Sequence, residues 1–131
     1  MKNWHVPARW ESQSYIDLAL SPEQFFDPAQ FSYGPKTIED VQIEMIKSLL
    51  PFVKIRVFAN DEQQVDSFRQ LLEKNQMSPE DIEVLIIKHH YIWLRDIGPI
   101  WLKSGNELKI VQSCFNEWGG EHLSNPLPQT L

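Results

Sequence analysis

Residues 52–90, "FVKIRVFANDEQQVDSFRQLLEKNQMSPEDIEVLIIKHH", carry two strand-like runs separated by one helical period. The run 52–60 is rich in β-branched and aromatic residues, which favour a pleated, half-buried surface. Asn60 predicts a helix N-cap, with Gln63 placed to answer it three residues on. Val65, Phe68 and Leu72 then recur at helical spacing and predict the buried stripe. "MSPED", 77–81, ends that helix. The run 82–90 is nearly all apolar at its centre, which predicts a strand covered on both faces.

The pattern extends towards the N-terminus. Thr37 predicts a cap for an earlier helix, with Asp40 at the capping-box distance. Val41, Met45 and Leu49 recur every four residues, with Ile38, Ile46 and Leu50 beside them, and predict one apolar face. Pro51 stops that helix. "SPEQFFDPAQFSYGP", 21–35, holds three prolines and a glycine and reads as a long loop. "SYIDLAL", 14–20, alternates Tyr15, Asp17 and Ala19 against Ile16, Leu18 and Leu20, the period of a strand. Towards the C-terminus, "PIWLKSGNELKIVQSCF", 99–115, predicts a hairpin about Ser104-Gly105-Asn106. The order is strand, helix, strand, helix, strand, hairpin, an α/β arrangement.

Composition bounds the function. The chain has 131 residues, the size of one domain, and twelve Lys+Arg against eighteen Asp+Glu give a net charge of −6. No basic cluster offsets that charge, which argues against nucleic-acid binding. A small cationic substrate suits the field better. One cysteine allows no internal disulfide and fits a reducing compartment. "MKNWHVPARWESQ" has no apolar signal region, and no stretch approaches the roughly 18 apolar residues of a membrane span. A cytoplasmic location is therefore expected. Five tryptophans in a chain this short point to a core, a pocket or an interface.

Three stretches carry candidate chemistry. "HHYIWLRDIGPIWL", 89–102, puts Asp96 between Trp93 and Trp101 and follows it with a Gly98-Pro99 turn. A carboxylate among apolar walls needs a partner. A guanidinium fits: its N–H fork matches a carboxylate and its faces stack on indole. The plain alternative is a solvated aspartate at a strand end, or an Arg95–Asp96 surface pair. "FNEWGG", 115–120, offers the Asn116 amide, the Trp118 wall and the permissive pair Gly119-Gly120; alone it reads as a turn. "VPARWES", 6–12, offers Trp10, which alone reads as a loop residue packing on the core. His89 and His90 are adjacent on a strand and cannot chelate one metal together. No CxxC or HExxH spacing exists, so no metal site is expected. Cys114 is isolated and reads as a small packed residue.

P-A-R-W-E at 7–11, W-L-R-D-I-G-P at 93–99 and F-N-E-W-G-G at 115–120, in that order, resemble the N-terminal signatures of the agmatine deiminase and Porphyromonas-type peptidyl-arginine deiminase family. The resemblance implies a pentein α/β-propeller of five ββαβ-type units, of which this chain holds one to one and a half. It covers about Pro7 to Gly120 and makes 1–131 a single N-terminal portion of such a domain. It implies hydrolysis of a guanidinium to a ureido group with release of ammonia. A cysteine thiolate attacks the guanidinium carbon, a histidine shuttles protons and two acidic residues hold the nitrogens. No cofactor is implied. Asp96 matches the guanidinium-binding carboxylate and Trp93 a pocket wall. Arg95, with Gly98, Pro99 and Gly119, matches positions that hold the loop. Trp10, Asn116 and Trp118 match positions near the site entrance. Family members are more than twice this length, and their cysteine, histidine and second acidic group lie in segments absent here. Where the family often has an aspartate two residues before the motif tryptophan, this chain has Tyr91. The chain alone is thus expected to be inactive, either half of a substrate clamp or a non-catalytic guanidinium-binding module. Self-association, or association with the remaining portion, is expected from its uncovered edges. Agmatine is the default substrate, with arginine and peptidyl arginine as alternatives.

Overall fold

The computed structural model describes residues 2–8, 10–21, 37–90 and 92–112. Eight regular elements follow in chain order: β1 (Tyr15–Ala19), α1 (Ile38–Leu49), β2 (Lys54–Ala59), α2 (Glu62–Lys74), β3 (Ile82–Ile86), α3 (Leu94–Ile97), β4 (Ile100–Ser104) and β5 (Glu107–Val111), with a 3₁₀ turn at Pro79–Asp81. The first three strands form a parallel sheet in the order β1-β2-β3; β4 and β5 form a separate antiparallel hairpin. The expected α/β order is present. These elements build one strand–helix layer and a hairpin, short of the units that a closed propeller needs.

The register explains the core. Ile16, Leu18 and Leu20 of the first strand segment share a face with Ile55, Val57 and Ala59 of β2. Ile43 and Ile46 of α1 and Val65, Phe68 and Leu72 of α2 close over that face, so both crossover helices lie on one side. Ile82 and Val84 of β3 extend it. The opposite face is divided. Tyr15, Asp17, Lys54 and Arg56 occupy its polar end, while Ala19 and Phe58, with Leu85, Ile87 and Leu94, form a second apolar cluster. Fully burying a side chain such as Phe58 contributes about 2–3 kcal/mol.

The helix starts follow side-chain chemistry. Thr37 Oγ1 accepts from the Asp40 N–H, and the Thr37 N–H donates to Asp40 Oδ2 at 2.9 Å, the predicted capping box. The cap of α2 is Asp61 rather than Asn60: Asp61 Oδ1 accepts from the Gln64 N–H at 2.8 Å. Aspartate, the residue next along, offers a charged acceptor to the helix N-terminus. Asn60 instead accepts from the His89 N–H through its Oδ1.

Two further expectations are corrected. Of the predicted face of α1, Ile46 is buried and Leu49 and Leu50 pack against the core, but Val41 and Met45 are exposed and Gln42 and Ile43 are buried instead. The helix carries apolar residues around most of its circumference, so periodicity alone admits two stripes. β3 ends at Ile86 rather than residue 90, and only Ile82 of its residues is buried. Among the described residues it is an edge strand of the sheet, and Leu85 is its residue that packs against the second cluster. The hairpin is as predicted, with Gly105 at φ +59 in the tight turn; a positive φ there is what two-residue hairpin turns demand. The predicted loop 22–35 lies outside the described residues.

Candidate functional site

The candidate segment leaves the carboxyl edge of the parallel sheet. Beyond Ile86 the Ile87 N–H still donates to the Ala59 carbonyl at 2.8 Å. The chain is then fixed by His89, which is 4% exposed. Its ring nitrogens lie 2.7 Å from the Ile87 carbonyl oxygen and 2.8 Å from the Leu20 carbonyl oxygen. The His89 N–H donates to Asn60 Oδ1 at 2.7 Å. The Asn60 N–H donates to Gln64 Oε1, and Gln64 Nε2 to the Ser21 carbonyl, each at 2.8 Å. His89 therefore ties the exits of all three parallel strands together. His90, its neighbour, is exposed, and the described residues contain no cluster that could hold a metal ion.

Four residues after His89 the motif begins. α3 is a single turn: the Asp96 N–H donates to the Trp93 carbonyl at 3.0 Å, and the Gly98 N–H to the Leu94 carbonyl at 2.7 Å. Leu94 points into the second apolar cluster and anchors this turn on the sheet. Gly98 is dictated by space, because a Cβ there would collide with the Leu94 carbonyl oxygen. Pro99 then leads directly into β4.

Asp96 is exposed, as is Arg95, and Trp93 is 48% exposed. The expectation of an apolar recess around Asp96 is corrected here. Trp101, the second expected wall, lies on the hairpin and is itself 41% exposed. Two hairpin strands and one helical turn supply too little surface to enclose a carboxylate. Among the described residues no ion pair joins Arg95 to Asp96, and no cation sits within ion-pairing distance of either Asp96 oxygen. Among the described residues the carboxylate thus has no cationic partner.

Trp10 is 89% exposed, not packed on the core. Its turn is closed twice. The Glu11 N–H donates to the Ala8 carbonyl at 3.0 Å, and the Ala8 N–H donates to Glu11 Oε1 at 2.9 Å. Lys103 of β4 donates to Glu11 Oε2 at 3.1 Å. His5 and Lys103 exchange both backbone bonds, at 3.1 and 2.8 Å, which lays the N-terminal segment along β4. The Ala8 N–H, and then Lys103, hold the Glu11 carboxyl below its usual range. The sequence shows Glu11 only as the last residue of P-A-R-W-E and His89 only as one of an adjacent pair unable to chelate one metal; the bonds that each makes, to residues distant in the chain, have no local signal. The predicted Asn116, Trp118 and Gly119, with Tyr91 and Cys114, lie outside the described residues.

A family model for Porphyromonas-type peptidyl-arginine deiminases matches residues 5–129. Agmatine deiminases of two Pseudomonas putida strains are 30% and 28% identical over 118 residues, 89% of this chain and 29% of each relative. The chain therefore spans under a third of the length of these relatives. Among solved structures, a Cys-to-Ser variant of C. jejuni agmatine deiminase with substrate bound superposes with a TM-score of 0.67 at 22% identity, over 95% of this chain and 34% of that one. A second C. jejuni agmatine deiminase structure gives a TM-score of 0.58 at 20% identity, over 84% of this chain and 31% of that one.

Proposed function

The chain belongs to the Porphyromonas-type peptidyl-arginine deiminase family, and from that premise we propose that it supplies the N-terminal half of the substrate clamp of an agmatine-type guanidine deiminase. Asp96 binds the guanidinium through its carboxylate and Trp93 lies against the cation's face. The observation that carries this reading is the placement of W-L-R-D-I-G-P: one helical turn anchored by Leu94 at the carboxyl edge of a parallel sheet, with an accessible carboxylate that no cation among the described residues pairs with. Ligands of open α/β sheets gather at that edge.

The reaction converts agmatine and water to N-carbamoylputrescine and ammonia. In the family chemistry a thiolate adds to the guanidinium carbon, ammonia leaves with a transferred proton, and water then releases the ureido product from sulfur. Cysteine and histidine for those steps belong to the part of the family's length that this chain does not span. We propose that the same part completes the recess around Asp96 and the pentein propeller. The 30% identical relative bears the name agmatine deiminase, which supports agmatine over arginine and peptidyl arginine.

The test joins the chain with a separately produced C-terminal portion of the Pseudomonas putida enzyme. Ammonia release from agmatine, faster than from arginine or a peptidyl arginine and lost in Asp96→Asn, is the expected outcome. No release from any of the three, with a folded mixture confirmed by circular dichroism, would overturn the catalytic reading. Agmatine binding by the chain alone, sensitive to Asp96→Asn, would then favour a non-catalytic guanidinium-binding module.

A further inference from the structure

The turn that carries Asp96 rests on a small apolar seat, and one buried polar ring fastens that seat from two sides. Leu94, the first residue of α3, packs against Ala19 and Phe58, and α3 thereby lies against β1. Leu85 and Ile87 pack against the same pair. The backbone of the seat is tied in turn. The Leu20 N–H, next to Ala19, donates to the Phe58 carbonyl at 2.9 Å, and Gln42 Nε2 donates to the Ala19 carbonyl at 2.7 Å. His89 adds the remaining ties. One nitrogen of its buried ring lies 2.8 Å from the Leu20 carbonyl oxygen and the other 2.7 Å from that of Ile87. Its N–H donates to Asn60 Oδ1 at 2.7 Å, just past the end of β2. An aliphatic residue could fill the same space. A buried imidazole must also meet polar groups, so it dictates where the carbonyls beside it sit.

We infer that His89 is a positioning residue for Asp96: it fixes the β1 and β3 exits relative to each other, and with them the seat from which Leu94 holds the Asp96 turn. This deepens the proposed function and rests on it for the guanidinium that Asp96 binds. His89 does not touch substrate; it acts through the seat and Leu94. The mechanical chain is short. Asp96 stands two residues beyond Leu94, on one turn closed by the Gly98 N–H on the Leu94 carbonyl at 2.7 Å. A single turn has too few internal bonds to hold its own direction, so it takes that direction from the surface beneath it. A carboxylate held in place beforehand need not be ordered by the ligand, and this is where such a residue acts on affinity.

The experiment titrates the full nitrogen-15-labelled chain with agmatine, as parent, His89→Ala, His89→Gln and Ile46→Ala, at a temperature where circular dichroism shows each folded. Ile46 belongs to the main cluster on the other face of the sheet, so Ile46→Ala removes core packing without touching the seat. In His89→Ala the amide signals of Leu94, Asp96 and Gly98 are expected to move. Agmatine should bind it about two- to tenfold more weakly, the cost of ordering one side chain on binding. His89→Gln, whose amide can still donate to one of the two carbonyls, should recover part of both effects, and it carries the comparison if His89→Ala does not fold. Ile46→Ala should match the parent in both. Unmoved Leu94, Asp96 and Gly98 signals in the histidine variants, or equal movement in Ile46→Ala, would overturn the positioning role. Absence of agmatine binding by the parent would count against the clamp reading alone, and the amide signals would then decide the positioning role by themselves.

Discussion

Arg56 and Asp17 face each other across adjacent parallel strands in a two-bond fork, Nε to Oδ1 and Nη2 to Oδ2, each at 2.8 Å. The guanidinium also lies 5.2 Å from the Tyr15 ring centroid and 5.8 Å from that of Phe58. Asp17 is the main reason that Arg56 holds its proton more tightly than a free arginine. The side chains are only 21% and 33% exposed, so the pair is screened less than a surface bridge. A double-mutant cycle of Asp17→Asn with Arg56→Met is expected to give a coupling of about 1 kcal/mol in urea unfolding, smaller at 1 M salt. A coupling within error of zero would mean that the fork is ornamental.

His89 is expected to be worth more than any surface pair. His89→Ala removes a buried ring and leaves the Leu20 and Ile87 carbonyls without their side-chain partner. Cavity and unsatisfied acceptors together should cost about 2–4 kcal/mol. Amide exchange should quicken first at the strand exits, near residues 20, 60 and 87. Uniform acceleration across the sheet, with no excess at those three places, would contradict the three-strand tie.

Gly98→Ala tests the helical turn beneath Asp96. The new methyl group meets the Leu94 carbonyl oxygen, a main-chain atom that cannot swing away. Relieving the contact must open the Gly98–Leu94 bond and loosen Leu94 from the Ala19–Phe58 cluster. The expected loss is about 1–3 kcal/mol. It should be accompanied by chemical-shift changes centred on residues 93–99. A variant as stable as the parent would show that the turn has room to relax.

Acid should release the Trp10 turn. The Glu11 carboxyl is held low in the folded chain, chiefly by the Ala8 N–H and then by Lys103. A lowered folded value means that the folded state prefers the carboxylate. Its contribution is therefore complete above the unfolded value of about 4.3 and fades as pH falls through the folded one. The Glu11 carboxyl-carbon and Ala8 amide signals should stay constant from pH 7 to about 4.5 and move together only below that range. A transition centred at or above the free-glutamate value would contradict the bonds of Ala8 and Lys103 to Glu11.

Much of the fold could be read because the decisive signals are local. The capping box at Thr37 and Asp40, the stripe Val65–Phe68–Leu72 and the Gly105 hairpin each depend on neighbours in the chain. The site was less legible because its geometry comes from pairs distant in sequence. Glu11 meets Lys103, and His89 reaches Leu20; neither spacing has a period. The expected recess around Asp96 failed for a related reason. Apolar neighbours in sequence, Trp93 and Trp101, sit on different elements, and a wall needs surface that one turn and a hairpin do not supply.

The two possible faces of α1 give a direct contest. Sequence periodicity offered Val41, Met45 and Leu49, with Ile38, Ile46 and Leu50 beside them, as one face; the core takes Ile46, with Leu49 and Leu50 packed against it, but adds Gln42 and Ile43 and leaves Val41 and Met45 out. Ile46 is 1% exposed and belongs to the main cluster, whereas Met45 is 43% exposed. Gln42 explains the choice: its Nε2 donates to the Ala19 carbonyl at 2.7 Å, which pins that face of the helix to the end of β1. Ile46→Ala should therefore cost about 2–4 kcal/mol and Met45→Ala well under 1 kcal/mol. Thermal unfolding of the two variants side by side reads the difference. Equal losses would mean that Met45 is covered in solution and that α1 buries both stripes. Reversed losses would mean that the helix is rotated about its axis, which would also move the Gln42 amide off the Ala19 carbonyl.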